Sequence, residues 1–127
     1  MKGRNRLPKI LVIEDEINIQ KLAEANLTAS GYQVLVAGNG EEGLELAGLE
    51  HLNLILLDLR MPGISGWDVL MALNADRRLR RIPVIIMTAT VPESEEFKIR
   101  GVRAAGYLTK PFSVDELMRQ VKQVLGD

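Results

Sequence analysis

Short runs of consecutive apolar residues, each followed directly by a polar residue, are the feature that most constrains how this chain folds. Ile10–Ile13, Leu54–Leu57 and Val84–Met87 are apolar at every position, as in strands that are buried on both faces of a parallel sheet. Gln33–Ala37 and Ala105–Leu108 complete a set of five predicted strands. Because helical patterns separate these runs, the sequence predicts an α/β domain with helices on both faces of the sheet.

Capping signals mark three of the five predicted helices. In each signal, an Asn or Ser precedes an acidic residue by three positions, so that its side chain can accept a hydrogen bond from the backbone of that residue. The pairs are Asn39 with Glu42, Ser65 with Asp68, and Ser113 with Glu116. The first helix is predicted over Ile17–Ser30 and the fourth from Pro92 to about Gly101. The inner face of the third helix is predicted to consist of Trp67, Leu70, Met71 and Leu73.

Composition limits the class of protein. The 127 residues are 46% apolar and 26% charged, as expected for one folded domain. The absence of cysteine excludes disulfides, thiolate metal sites and cysteine nucleophiles, and it favours a reducing cytoplasm. The apolar runs are far shorter than the roughly 20 residues that span a bilayer, and the basic start lacks the apolar stretch of a secretory signal. We therefore expect a cytoplasmic protein without a membrane partner.

Positive charge is concentrated in two parts of the chain. Eight of the 16 lysines and arginines lie in two clusters, which leaves the other eight to face all 17 acidic residues. The clusters are a basic N-terminal arm over residues 1–8, extended by Lys9, and the group Arg77, Arg78, Arg80 and Arg81. The favoured interpretation is a solvated tail and a solvated loop, and the alternative is docking on an acidic partner or on phosphates. A net charge of −1 and the lack of interleaved aromatics argue against nucleic-acid binding.

Polar side chains follow four of the five predicted strands. The carboxyl ends of parallel strands meet at one edge of a sheet, where ligands of such folds bind. Carboxylates from different strands repel one another and therefore need a cation. Oxygen ligands without cysteine, and with a single distant histidine, favour Mg²⁺ or Mn²⁺. The residues that follow the strands are Glu14, Asp15, Glu16, Asp58, Thr88, Thr90, Thr109 and Lys110.

This set of residues suits phosphoryl chemistry. Lys110 would act as a compact positive charge and Thr88 as a hydroxyl donor toward a phosphoryl group beside the cation. Asp58 ends the central strand and is the candidate nucleophile, which would form an aspartyl phosphate. Taken singly, these residues are better interpreted as a solvated acid, a hydroxyl that bonds the backbone and a surface lysine. Their joint occurrence at one edge favours the functional interpretation.

Four segments together resemble the receiver domain of two-component response regulators. They are Ile10–Glu16, Leu57–Gly63, Met87–Ala89 and Gly106–Phe112, in the order and at the spacing of the family. The resemblance extends over essentially the whole of residues 9–127, which we assign to the receiver domain. It implies a flavodoxin-like (CheY-like) doubly wound parallel sheet of five strands in the order 2-1-3-4-5, with five helices on two faces.

The resemblance also implies the chemistry of the site. Asp58 corresponds to the acceptor of a phosphoryl group from a sensor histidine kinase or a phosphotransfer protein. Lys110 corresponds to the lysine that contacts the phosphoryl oxygens, and a cis bond is expected before Pro111. The implied cofactor is Mg²⁺, with Mn²⁺ as a substitute. Its implied ligands are Asp15, Asp58, Glu14 acting through water, and the backbone carbonyl of Arg60.

A conformational output is implied by two further residues. Thr88 resembles the switch hydroxyl and Tyr107 the switch aromatic, which together would alter the surface of the fourth helix, fifth strand and fifth helix. That surface would bind a downstream effector domain or protein. From the residues alone, Tyr107 is equally well interpreted as an amphipathic ring at the edge of the sheet. Arg60, two residues after Asp58, is predicted to alter the lifetime of the phosphoryl group.

Other functions remain as alternatives. A haloacid-dehalogenase-type phosphatase also uses an aspartate at a strand end with Mg²⁺, but Arg60 stands where its second aspartate is expected. A flavodoxin-like nucleotide or flavin binder would need a glycine-rich loop after the first strand, where Glu14 and Asp15 would repel phosphate. A receiver that acts by binding alone is the third alternative. We expect no metabolic enzyme activity, and we leave open a stand-alone receiver or a piece of a longer regulator, as a monomer or a phosphorylation-linked dimer.

Overall fold

Five parallel strands form a single sheet in the order β2-β1-β3-β4-β5. The computed structural model describes residues 7–89 and 103–126. The strands are β1 (Lys9–Ile13), β2 (Gln33–Ala37), β3 (Leu54–Asp58), β4 (Val84–Thr88) and β5 (Gly106–Thr109). This order and the parallel pairing confirm the predicted doubly wound sheet.

Helices lie on both faces of the sheet. They are α1 (Ile17–Ala29), α2 (Gly40–Leu49), α3 (Gly66–Ala75), a short 3-10 helix (Leu79–Arg81) and a C-terminal helix (Val114–Leu125). The predicted fourth helix, from Pro92 to about Gly101, lies outside the described residues, as does most of the basic arm. Every helix in the described ranges is too short or too polar to cross a membrane.

The sheet separates two hydrophobic layers. Leu11, Ile13 and Leu57 face α2 and α3, whereas Val12 and Leu56 face α1 and the C-terminal helix. Every residue of β3 and β4 is buried, because helices cover these strands on both sides. This two-sided burial explains why the strands appear in the sequence as continuous apolar runs and not as alternating ones.

Each predicted capping pair begins a helix. The side chain of the first residue accepts a hydrogen bond from the backbone N–H three positions later, which satisfies a donor at the helix start that would otherwise lack a partner. The donor-to-acceptor distances are 2.8 Å for Glu42 to Asn39, 3.2 Å for Asp68 to Ser65 and 3.0 Å for Glu116 to Ser113.

The inner face of α3 differs from the prediction at one position. Leu70 and Leu73 are buried and Trp67 is half-buried against the same core, as expected. Met71, however, is 42% exposed, and Val69 is buried in its place. The helix starts at Gly66, and residues at intervals of three and four from it share one side. That periodicity places Met71 on the solvent side.

A carboxylate site at the carboxyl ends of the strands

Three carboxylates and one lysine meet at the carboxyl ends of β1, β3 and β5. One oxygen from each of Glu14, Glu16 and Asp58 lies within 4.8 Å of the others. The ammonium nitrogen of Lys110 is 2.8 Å from Oε1 of Glu14, 3.0 Å from Oδ2 of Asp58 and 3.4 Å from Oε1 of Glu16. We call these four residues the carboxylate site.

Strand order explains how residues so far apart in sequence come together. β1 and β3 are neighbours in the sheet, so Glu14 and Asp58 project from adjacent strand ends. β5 is separated from β3 by β4, and the long side chain of Lys110 bridges that gap. The strand order therefore places the Lys110 ammonium beside Glu14 and Asp58, two acids that would otherwise repel each other.

Hydrogen bonds to the backbone fix the carboxylates. The backbone N–H of Glu16 donates to Oε2 of Glu14 at 3.0 Å, and that of Arg60 donates to Oδ1 of Asp58 at 3.0 Å. The side-chain amide of Gln20, on α1, donates to the carbonyl oxygen of Glu14. Glu14 and Asp58 thus each have one oxygen bound to a backbone N–H and the other turned toward Lys110.

Burial changes the acid–base properties of the site. The side chain of Glu14 is 0% exposed and that of Asp58 is 3% exposed. Burial raises the pKa of Glu14 to about 7, assisted by repulsion from Asp58, and the stabilising contacts from Lys110 and the Glu16 backbone only partly offset it. Burial by itself would lower the pKa of Lys110, but its hydrogen bonds to Glu14 and Asp58 outweigh this effect and raise it.

The donor set fits a divalent cation. Oε1 of Glu14 is buried, and within the described part of the chain its polar partner is the ammonium of Lys110 alone. When ionised, the three carboxylates exceed the single ammonium by two negative charges. Clustered carboxylate oxygens without sulfur or nitrogen donors are what hard ions such as Mg²⁺ prefer.

The predicted site residues occupy different parts of this region. Asp58, Glu14 and Lys110 are in the carboxylate site itself, and Arg60 contributes the backbone N–H that faces Asp58. Asp15 is exposed and is not one of the three clustered acids. The peptide bond between Lys110 and the proline that follows it is cis, as expected.

The predicted switch residues lie on neighbouring strands. Thr88 ends β4, one position beyond the residue paired with Asp58, and is 2% exposed. Tyr107 is on β5 opposite Ile86 and is 37% exposed. Paired residues share a face of the sheet, and so do residues two apart along a strand. Tyr107, Ile86 and Thr88 therefore lie on one face.

Two residues near Asp58 were assigned no role of their own from the sequence. Glu16 joins the site because its position is extended, so its side chain returns to the side of Glu14. The two-residue spacing between Glu14 and Glu16 in the sequence could have indicated that both side chains point the same way. Gly66 packs against the backbone of Asp58 and Leu59, where a β-carbon would overlap both, and its N–H donates to the Leu59 carbonyl at 3.0 Å. No local pattern indicates that close approach.

Known relatives match this chain along most of its length. Residues 10–122 match the response regulator receiver domain family. The chain is 37% identical over 118 residues to the polar-differentiation response regulator DivK of Brucella ovis, covering 93% of this chain and 96% of DivK. It is 38% identical over 117 residues to the probable transcriptional regulator ycf27 of Cyanophora paradoxa, covering 92% of this chain but only 48% of that regulator. The chain thus spans about half the length of ycf27.

Solved structures agree with the sequence comparison. Chemotaxis response regulator CheY4 of Vibrio cholerae superposes with a TM-score of 0.86 at 28% identity, covering 94% of this chain and 100% of CheY4. The receiver domain of the sensor histidine kinase PA1611 from Pseudomonas aeruginosa gives 0.84 at 29% identity, covering 96% and 100% of the two chains. That structure has a magnesium ion coordinated in its active site cleft. Fold, site and relatives together show that this chain belongs to the response regulator receiver domains of two-component systems.

Proposed function

We propose that this receiver domain accepts a phosphoryl group on Asp58 from a sensor histidine kinase or a phosphotransfer protein, in a Mg²⁺-dependent reaction. The observation that carries the proposal is the setting of the Asp58 carboxylate. It ends the middle strand β3, is 3% exposed, and has Oδ2 at 3.0 Å from the ammonium of Lys110. A buried acid in contact with a cation, at the edge where parallel sheets bind ligands, is poised for chemistry more than for solvation.

In the proposed transfer, a carboxylate oxygen of Asp58 attacks the phosphorus of the donor. The bond from phosphorus to the donor's leaving atom breaks, and the leaving group departs with the electron pair. The ammonium of Lys110 then contacts a phosphoryl oxygen in place of the free carboxylate, and the hydroxyl of Thr88 donates a hydrogen bond to a second phosphoryl oxygen. The backbone N–H of Arg60 holds Asp58 in orientation, since it already binds Oδ1 at 3.0 Å.

Mg²⁺ would supply positive charge that neutralises the phosphoryl oxygens. The residues that would hold it are Asp58, Asp15, Glu14 through water, and the backbone carbonyl of Arg60. Glu16 is not in this set, and its clustered carboxylate oxygen offers one further metal ligand. The buried Oε1 of Glu14, whose polar partner among the described residues is the Lys110 ammonium alone, supports a cation at this position.

The proposed output is a change of surface. Thr88 and Tyr107 lie on the same face of the sheet, so a Thr88 side chain that moves toward a phosphoryl group vacates space on the face that carries the Tyr107 ring. The affected surface comprises β5, the C-terminal helix and the predicted fourth helix. This surface would bind a downstream effector domain or protein. The domain would catalyse only its own phosphorylation and dephosphorylation. The lack of cysteine supports a cytoplasmic location.

The intact mass of the protein after incubation with acetyl phosphate and Mg²⁺ tests this function. We expect one added phosphoryl group on the parent protein and on Asp76→Asn, an exposed acid outside the site, and none on Asp58→Asn. An adduct that survives in Asp58→Asn would contradict the assignment. Absence of any adduct, together with no binding of fluoroberyllate, would favour a receiver that acts by binding alone. Steady turnover of phosphate esters would instead favour a phosphatase.

A further inference from the structure

Arginines surround a cleft at the amino ends of the strands, the opposite end of the sheet from the carboxylate site. A cavity of about 250 Å³ lies between the end of α3, the 3-10 helix and the segment that enters β5. Its lining includes the exposed residues Arg80, Arg81 and Arg103. A second cavity of about 300 Å³ shares Arg81, Ile82 and Pro83 with the first. We call this two-lobed groove the arginine cleft.

The arginines of the cleft have no acidic partner within residues 7–89 and 103–126. The ion pairs there belong to Lys9 and Lys110. The nearby acid Asp76 accepts hydrogen bonds from the backbone N–H groups of Arg78 and Leu79 at 2.8 and 3.0 Å. Arg78 itself is engaged by carbonyl oxygens at the end of α2. No acid of the described residues therefore pairs with the guanidinium groups of Arg80, Arg81 and Arg103.

We propose that the arginine cleft binds a short acidic segment of a partner polypeptide in which apolar residues separate the acids. Guanidinium groups bind carboxylates through paired hydrogen bonds, which suits Arg80, Arg81 and Arg103. Between these cations the lining is apolar, with Leu79 buried and Ile82 and Pro83 half-buried. A free phosphate would leave that apolar surface unused, whereas a peptide with leucine-like side chains would cover it.

Nucleic acid fits the cleft less well. Among the described residues, the linings of both cavities lack the phenylalanine, tyrosine and tryptophan on which bases stack. The chain as a whole carries a net charge of −1, with 17 acidic residues against 16 lysines and arginines, so an extended polyanion would meet repulsion as well as attraction. A short acidic segment needs only the local patch.

Binding in the cleft would leave the carboxylate site open. Strands β3 and β4 are five residues long, so roughly 16 Å of sheet separates their two ends. A partner could therefore contact the cleft before, during and after chemistry at Asp58. The inference rests on the arginines and the apolar lining of the cleft, and it stands whether or not Asp58 is phosphorylated.

Fluorescence anisotropy with the whole 127-residue chain tests the proposal. The probe is a short fluorescein-labelled peptide of alternating glutamate and leucine, and its control replaces glutamate by glutamine. We expect saturable binding of the acidic peptide that weakens with salt, and a loss of about tenfold or more in Arg80→Gln/Arg81→Gln. The matched variant is Arg77→Gln, an exposed arginine of the same segment that lines neither cavity. It should bind within about twofold of the parent.

Amide chemical-shift mapping locates the peptide. Shifts at residues 79–84 and 103–106, with Asp58 and Lys110 unmoved, would support the cleft, whereas shifts confined to the carboxylate site would overturn it. Equal binding of the glutamine peptide would overturn the electrostatic argument, and equal loss in Arg77→Gln would show non-specific attraction. Tighter binding of a single-stranded oligonucleotide of equal charge would replace the proposed partner by nucleic acid. Asp58→Asn should bind the peptide like the parent, which separates this test from that of phosphorylation.

Discussion

The ammonium nitrogen of Lys110 lies 2.8 Å from Oε1 of Glu14, a buried oxygen that has no other polar partner among the described residues. A buried ion pair contributes little net stability when it is compared with apolar packing. Removal of one partner is nevertheless costly, because the other charge then stays buried without compensation. The lysine is thus a counter-ion for the acids of the apo protein as well as a candidate ligand for a phosphoryl group.

Replacement of this lysine is expected to destabilise the metal-free protein. In Lys110→Gln, Glu14 and Asp58 lose their shared cation, and we expect the free energy of unfolding to fall by roughly 2–4 kcal/mol. Urea denaturation with a chelator measures the loss, and added Mg²⁺ should recover part of it by supplying positive charge. Lys21→Gln, on the exposed side of α1, is the control and should change little. An equal loss in both variants would contradict the role of Lys110.

The stability of the metal-free protein is expected to decrease as the pH rises from about 4.5 to about 7. The pKa of Glu14 is raised from 4.5 to about 7 in the folded state, so the folded protein binds more protons than the unfolded chain between these values. The resulting stabilisation of the folded state is fully present below pH 4.5 and is lost as Glu14 ionises at higher pH. The difference is on the order of 3 kcal/mol.

Urea denaturation across this pH range, without metal, checks the prediction. Glu14→Gln cannot ionise at this position, so its stability should depend less steeply on pH. The pKa values of Asp76 and Glu116 are lowered by backbone hydrogen bonds, which gives the opposite slope at lower pH in both proteins. The comparison of parent and variant therefore isolates Glu14, and identical slopes would disprove the assignment.

A side chain at Gly66 is expected to disturb the acceptor. A β-carbon there overlaps the carbonyl oxygen of Asp58 and the α-carbon of Leu59, so the backbone that carries the acceptor must shift. We expect Gly66→Ala to cost roughly 1–3 kcal/mol in stability and to slow labelling by acetyl phosphate. Gly48→Ala meets no atom within 4 Å and lies in α2, where alanine is preferred. It should therefore stabilise the fold by up to about 1 kcal/mol. Unchanged labelling of the Gly66 variant would count against its positioning role.

Arg78 is expected to stabilise the end of α2. Its guanidinium donates to the carbonyl oxygens of Ala47 at 3.2 Å and Gly48 at 2.8 Å, which are acceptors at the negative end of that helix. Arg78→Gln should lower the free energy of unfolding by about 1 kcal/mol, measured in urea. Arg77→Gln, one residue earlier and without such bonds in the described residues, is the control. Equal midpoints for both variants would show that the bonds contribute nothing.

Shortening of Arg60 is expected to accelerate dephosphorylation. This prediction depends on the proposed function, because it requires phosphorylated Asp58. The side chain of Arg60 is exposed two residues from Asp58, where it can obstruct the approach of water. In Arg60→Asn the phosphoryl group should decay severalfold faster, as followed by intact mass over time. Equal decay rates in parent and variant would rule out a shielding role.

Elements that depend on local sequence or on two-sided burial could be predicted. The strands β3 and β4 are buried at every position, so their apolar runs carry the signal without tertiary information. The capping residues Ser65 and Ser113 similarly act within one helical turn. Clustering of Asp58 and Lys110 followed from the rule that parallel strands end at one edge.

Features that depend on the direction of a side chain could not be predicted in the same way. Met71 was placed in the core because its apolar character fits a helix face, but the packing of α3 against the sheet buries Val69 there instead. Glu16 was seen as part of an acidic run, yet its contact with Lys110 depends on the extended backbone after β1. The close approach of Gly66 depends on the path of an entire loop.

The separation of charge between the two ends of the sheet has a kinetic consequence. Acids gather where the strands end, and Arg80, Arg81 and Arg103 gather where they begin. These opposite charges at the two ends of the sheet contribute an electric dipole along the strands, although the net charge is only −1. Such a molecule would rotate in the field of a charged partner before touching it, so encounter rates would depend on ionic strength far more than its net charge suggests.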